Sequence, residues 1–161
     1  MTSTFDHTTS TIAPRLLDES YGPGAWHGAD LKAAIADVSL KLAFWRPGEG
    51  RHNIAEIALH HAYYAHSVRG RLLAKPIEPF VRDGDDWFAL DDENAMRWAS
   101  VCTTVDEQQR KLAAAVSDIA RDGSLSTLGP KEQLDLVIGI TCHAIYHAGQ
   151  IQLIKVLSQK S

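Results

Sequence analysis

The chain has 161 residues, of which 45% are hydrophobic and 22% charged, and its formal net charge is −4. These totals are typical of one globular domain, whereas a nucleic-acid-binding protein would carry a basic face. No apolar run approaches the roughly 20 residues of a membrane span, and residues 1–17 lack the pattern of a signal peptide. We therefore expect a cytoplasmic protein of one domain over residues 1–161, with reduced thiols at Cys102 and Cys142.

The chain begins with a segment that has no strong periodicity. Residues 1–23 are predicted to form an N-terminal extension that is partly ordered, with a short helix over residues 15–20. Asp30 is then a plausible N-cap of a first long helix, which ends at Pro47-Gly48. Its apolar residues recur at spacings of three and four, and they are Leu31, Ile35, Val38, Leu42 and Trp45.

A second helix is predicted from about His52 to Ala74. Asn53 and Glu56 have the spacing of a capping box at its start. Two prolines end the helix, and the segment from Lys75 to Leu90 reads as a long connection rather than a tight turn. The apolar stripe of the helix comprises Ile54, Ile57, Ala58, His61, Ala65, Val68 and Leu72.

Two further helices complete the predicted fold. The third opens with the acidic run 91–93, which complements a helix N-terminus, and continues to about Ala120. The fourth begins at Pro130, a favoured first-turn residue, and continues to about Leu157. We predict an all-α, four-helix bundle with a long crossover between helices 2 and 3.

The fourth helix places histidines where apolar residues are expected. Its inward seam alternates spacings of four and three, and it comprises Leu136, Ile140, His143, His147, Gln150, Ile154 and Leu157. Buried polar groups without partners cost about 1–3 kcal/mol each. His143 and His147 lie four residues apart and therefore on one helix face, where they can bind one cation or hydrogen-bond to buried carbonyl or carboxylate groups.

A metal site needs a third ligand from another helix. His60 and His61 are the candidates, and the residue pattern leaves the choice open. His61 falls near the centre of the second helix's apolar stripe, whereas His60 falls towards its edge, where an open cleft could lie.

Two segments resemble the DinB/YfiT-like family of metal-binding four-helix bundles. HNIAEIALH, at residues 52–60, is similar to the family's segment before a ligand histidine, and HAIYHAGQI, at residues 143–151, is similar to its His-x-x-Tyr-His-x-Gly-Gln-Ile form. AWHG at residues 25–28 also resembles an entry segment of one branch. The resemblance implies a divalent metal on His60, His143 and His147. His61 departs from the pattern, which usually has an apolar residue there, so that a shared ligand role for His61 stays open.

The resemblance also implies the class of chemistry. Zinc is the first choice of metal, with nickel, iron or manganese as alternatives. The protein would be a metal-dependent transferase using a low-molecular-weight thiol, such as bacillithiol or mycothiol, or a hydrolase, in either case acting on a small molecule. The alternative is a non-catalytic metal- or small-ligand-binding protein of stress response.

Residues outside the three-histidine set have simpler expected roles. Glu56 is either an outer partner that orients His60 or only a helix cap. Gln150 is expected either to hydrogen-bond across the bundle or to contact a metal-bound water. Trp26 and His27 are expected in a turn. Solvent exposure is predicted for three histidines: His7, His52 and His66. We also predict a two-fold homodimer that covers aromatic residues near helix ends, namely Trp45, Trp87 and Trp98.

Overall fold

The computed structural model of the protein describes residues 4–159, with side chains from Thr11 onward. This part of the chain contains helices and no strand. The helices are α1 (Thr4–Tyr21), α2 (Leu31–Ala36), α3 (Leu40–Ala43), α4 (Ile54–Leu72), α5 (Trp98–Arg121) and α6 (Pro130–Ser158), with one 3₁₀ turn at Gly123–Leu125. The predicted all-α fold is confirmed.

Four helices form the bundle. α4 and α1 each pack between α5 and α6, so that α1 and α4 occupy opposite corners. The predicted extension over residues 1–23 therefore contains a full bundle helix, whose Ala13 and Leu17 are buried, in place of the short helix expected over residues 15–20. Residues 1–3 lie outside the described part, and the division of the chain into domains stays a prediction.

The predicted first long helix is wrong, because the segment forms two short helices instead. α2 starts at its predicted cap, where the Asp30 side chain accepts a hydrogen bond from the backbone N–H of Ala33. The chain then leaves the helical path at Val38, whose carbonyl accepts from the indole N–H of Trp98 at 3.1 Å. Ser39 caps the new start of α3. Long-range hydrogen bonding thus overrides the local helical pattern.

The second helix agrees with the prediction. Asn53 and Glu56 form the reciprocal capping box at the N-terminus of α4. The long crossover after α4 is also present, although α5 begins at Trp98 rather than at the acidic run. The side chain of Asp92 instead accepts from the backbone N–H groups of Asn94 and Ala95 in a turn, and Glu93 accepts from that of Trp98.

The bundle core has two apolar clusters. One contains Leu59 and Ala144, and the other contains Ala65 and Ile140. The boundary between the two clusters therefore contains His60 and His61 of α4 and His143 of α6. Within the described helices, none combines the length and apolarity that crossing a membrane requires.

Candidate metal centre

Three histidine side chains converge between α4 and α6. His60 lies on α4, and His143 and His147 lie one turn apart on α6. Nε2 of His143 is 3.2 Å from Nε2 of His60 and 3.1 Å from Nε2 of His147. One ligand atom from each of the three residues lies within 4.8 Å of the others. The structure thus brings together the three residues that the family resemblance implied.

The spacing of these nitrogens fits a small divalent cation. Bonds of about 2.0–2.1 Å to a tetrahedral zinc ion place two ligand nitrogens about 3.3 Å apart. The observed separations of 3.1 and 3.2 Å are close to this value. The cluster therefore fits metal binding, with three candidate ligands among the described residues.

Hydrogen bonds orient two of the rings with their lone pairs inward. Nδ1–H of His60 donates to the backbone carbonyl of Asp86 at 2.8 Å, and Nδ1–H of His147 donates to Oε1 of Gln150 at 2.6 Å. A neutral imidazole has one N–H, so Nε2 of both rings is unprotonated. Gln150 thus bonds to a neighbour on its own helix, rather than across the bundle as expected.

Electrostatics also favours neutral rings. Burial lowers the pKa of His60, of His143 to about 3 and of His147 to about 4, and each of these rings is also affected by neighbouring histidines. Only the neutral ring can bind a cation. At neutral pH the three rings are therefore uncharged, which is the state that metal binding requires.

His61 contacts the cluster through the outer nitrogen of His143. Its Nδ1 lies 3.2 Å from Nδ1 of His143, on the side of that ring away from His60 and His147. The side chain is 1% exposed, and burial lowers its pKa to about 3. His61 therefore touches one of the three histidines, and it does not belong to the group whose ligand atoms converge.

The crossover between α4 and α5 covers one side of the cluster. Trp87 stacks on the ring of His60 at 3.8 Å between centroids and on that of His52 at 3.7 Å. Asp86 accepts from the Tyr64 hydroxyl at 2.9 Å through its carboxylate. These contacts tie the crossover to α4. They also place His52, which is exposed as predicted, beside the cluster.

The sequence left two roles open for Glu56, and the structure shows it as a helix cap. Its carboxylate accepts from both Nη atoms of Arg46, from Nδ1 of His52 and from the backbone N–H of Leu90. Burial opposes ionisation, but these partners outweigh it and the pKa of Glu56 is lowered. Glu56 reaches His60 only indirectly, through the stack of His52 and Trp87.

The remaining candidates lie in ordinary structural roles. Trp26 is 94% exposed, and its backbone N–H donates to Glu19, while the ring of His27 bonds to the carbonyl of Glu19. Both cysteines are free. His66 is half-buried against the carbonyl of Glu78, and the side chain of His7 lies outside the described residues.

The sequence reasoning missed the crossover residues of the site. Asp86 and Trp87 lie in a loop with no periodicity, and nothing local indicates that they return to α4. Tyr64 could have been found, because it lies four residues after His60 and therefore on the same helix face.

A helical bundle with three inward histidine nitrogens defines a class of candidate metal-binding proteins. A comparison with protein families matches residues 24–151 to the DinB superfamily. The chain belongs to this superfamily. No curated protein and no solved structure matched the chain.

Proposed function

We propose that the protein binds a divalent cation through Nε2 of His60, His143 and His147. The convergence of the three nitrogens, two of them held with their lone pairs inward, carries this proposal. Zinc is the first choice, with nickel, iron or manganese as alternatives, because imidazole suits late divalent metals and zinc is commonly tetrahedral.

We further propose that the site serves a metal-dependent transferase that uses a small thiol, or a hydrolase. Three neutral ligands leave the charge of the cation undiminished and a position open. The cation would supply Lewis acidity, which lowers the pKa of a thiol or water that reaches it. The chain's own residues would orient the ligands and shape access: Trp87 covers His60, and the exposed Tyr146 flanks His147.

One observation keeps a non-catalytic role as the second candidate. The Asp86 carboxylate lies 3.8 Å from Nδ1 of His60, which is the ring atom opposite the converging Nε2. It is therefore placed to support His60 rather than to exchange protons with a small molecule at the open position. A metal- or small-ligand-binding protein of stress response needs no such proton-transfer group.

The experiment that tests catalysis uses the zinc-loaded protein. A chromogenic aryl halide is incubated with bacillithiol, mycothiol or cysteine, and a chromogenic ester is assayed for hydrolysis. We expect turnover by the wild type and none by His147→Phe. His66→Phe should also turn over, because His66 is a half-buried histidine of α4 that lies outside the cluster. Metal binding with no turnover in any assay would favour the non-catalytic role.

We also propose a cytoplasmic homodimer. The free cysteines are the support for a reducing compartment. The three aromatics that suggested a dimer have contacts within the chain: Trp98 is buried, Trp45 packs against the core, and Trp87 stacks on His60. Support for the dimer comes instead from α6, which has no charged residue between residues 136 and 154 and exposes an apolar face. That face includes Ile138, Tyr146, Leu153 and Val156.

A further inference from the structure

His143 differs from the other two histidines of the cluster in the partner of its outer nitrogen. His60 and His147 each face an oxygen acceptor, whereas Nδ1 of His143 faces Nδ1 of another imidazole, His61, at 3.2 Å. One of these two nitrogens must carry the proton between them. Which one carries it decides whether Nε2 of His143 has a free lone pair, because a neutral ring has a single N–H.

The two possible arrangements have opposite consequences for the cluster. If His61 donates, His143 carries its proton on Nε2, in the middle of the cluster, where it can bond to His60 or His147. If His143 donates, its Nε2 lone pair faces inward and all three nitrogens are available to a cation. His61 must then carry its own proton on Nε2.

A buried glutamine of α5, Gln109, lies near the ring of His61. Nε2 of His61 and Oε1 of Gln109 are both buried, and within the described chain neither has a hydrogen-bond partner of full geometry. The Gln109 side chain is nevertheless a hydrogen-bonding neighbour of His61. Because an unmatched buried donor or acceptor is unfavourable, a small shift that joins His61 Nε2–H to Gln109 Oε1 would stabilise both groups.

We propose that His61 and Gln109 are positioning residues that select the metal-binding tautomer of His143. In this relay, Nδ1–H of His143 donates to Nδ1 of His61, and Nε2–H of His61 donates to Oε1 of Gln109. The inference rests on the proposed metal site, and it extends the site from three histidines to an outer pair on α4 and α5. Outer partners of this kind commonly change metal affinity by about 10–100-fold.

The test measures zinc affinity by competition with a chromogenic chelator at pH 7.5. His61→Phe removes the acceptor and keeps a ring, and we expect affinity to fall about tenfold or more. His61→Asn, whose side-chain oxygen lies near the former Nδ1 position, should recover most of that loss. Gln109→Met should weaken binding, whereas Gln108→Met, also a buried glutamine, should not. Circular dichroism and the thermal midpoint show that each variant is folded.

A second readout follows the protons directly. Long-range ¹H–¹⁵N spectra of the zinc-loaded wild type should show His143 protonated on Nδ1 and His61 protonated on Nε2. Zinc spectra with His61 protonated on Nδ1, or folded His61→Phe with wild-type affinity, would overturn the relay. A wild type that binds no zinc would overturn the metal site itself, so that the two failures are distinguishable.

Discussion

The metal-free protein should lose stability as the pH falls from 7.5 to 5.0. The pKa of both His61 and His143 is lowered to about 3, with burial as the largest cause. The unfolded chain takes up protons on these rings near its ordinary pKa of about 6.5, whereas the folded chain does not. A lowered histidine pKa therefore stabilises the fold above pH 6.5, and this contribution is lost as the pH falls towards the folded value.

The magnitude follows from proton linkage. Each histidine that stays neutral in the folded state costs about 2 kcal/mol of stability between pH 7.5 and pH 5.0. For two such histidines the loss is about 4 kcal/mol, a large part of the 5–15 kcal/mol typical of a domain. Carboxylates contribute little in this window, because their unfolded pKa values lie near 4.

Urea unfolding of the metal-free protein at both pH values measures the effect. The double variant His61→Phe/His143→Phe should lose the part of the pH dependence that these two rings contribute and keep that of His147, whose pKa is lowered to about 4. His66→Phe should keep the whole pH dependence. Equal unfolding free energies of the wild type at pH 5.0 and pH 7.5 would refute the reasoning. The same conclusion would follow if the double variant kept the full pH dependence.

Three further predictions concern the surroundings of the site and the surface of α6. Glu56→Gln should destabilise the protein by about 2–3 kcal/mol in urea unfolding, because it removes the buried carboxylate that pairs with Arg46 and leaves that cation only the exposed Asp91. The exposed control Glu107→Gln should have little effect, and equal losses would contradict the buried pairing. Zinc should change the tryptophan fluorescence of the wild type, since Trp87 stacks on His60 at 3.8 Å, and Trp87→Phe should remove the change. Light scattering at micromolar concentration should report a dimer that Leu153→Glu dissociates, and a monomeric wild type would reject the dimer.

The sequence was most informative where local signals and burial agree. Asn53 and Pro130 mark helix starts that the structure reproduces. α1 was underestimated because its first half is rich in Thr and Ser and it contains Pro14. The helix predicted after Asp30 is interrupted at Val38. The local sequence could not reveal this, because the carbonyl of Val38 bonds to Trp98, which lies 60 residues away in the chain.

Sequence patterns also predicted only part of the histidine site. The spacing of His143 and His147 predicted a shared face, and their rings do meet at 4.3 Å. Helical periodicity alone favoured His61, which lies near the centre of the apolar stripe. In the structure α4 packs against both α5 and α6, and the side chains of His60 and His61 are both buried. The family resemblance selected His60, and the geometry of Nε2 favours the same choice.

Zinc titration of the metal-free wild type and three single variants tests the central claim most directly. The variants are His60→Phe, His143→Phe and His147→Phe, which keep an aromatic ring and remove a ligand nitrogen, with His66→Phe as the matched control. We predict one zinc ion per chain for the wild type and the control, and affinity at least about tenfold weaker for each of the three variants. Stoichiometric zinc binding with wild-type affinity in all three folded variants would contradict the account.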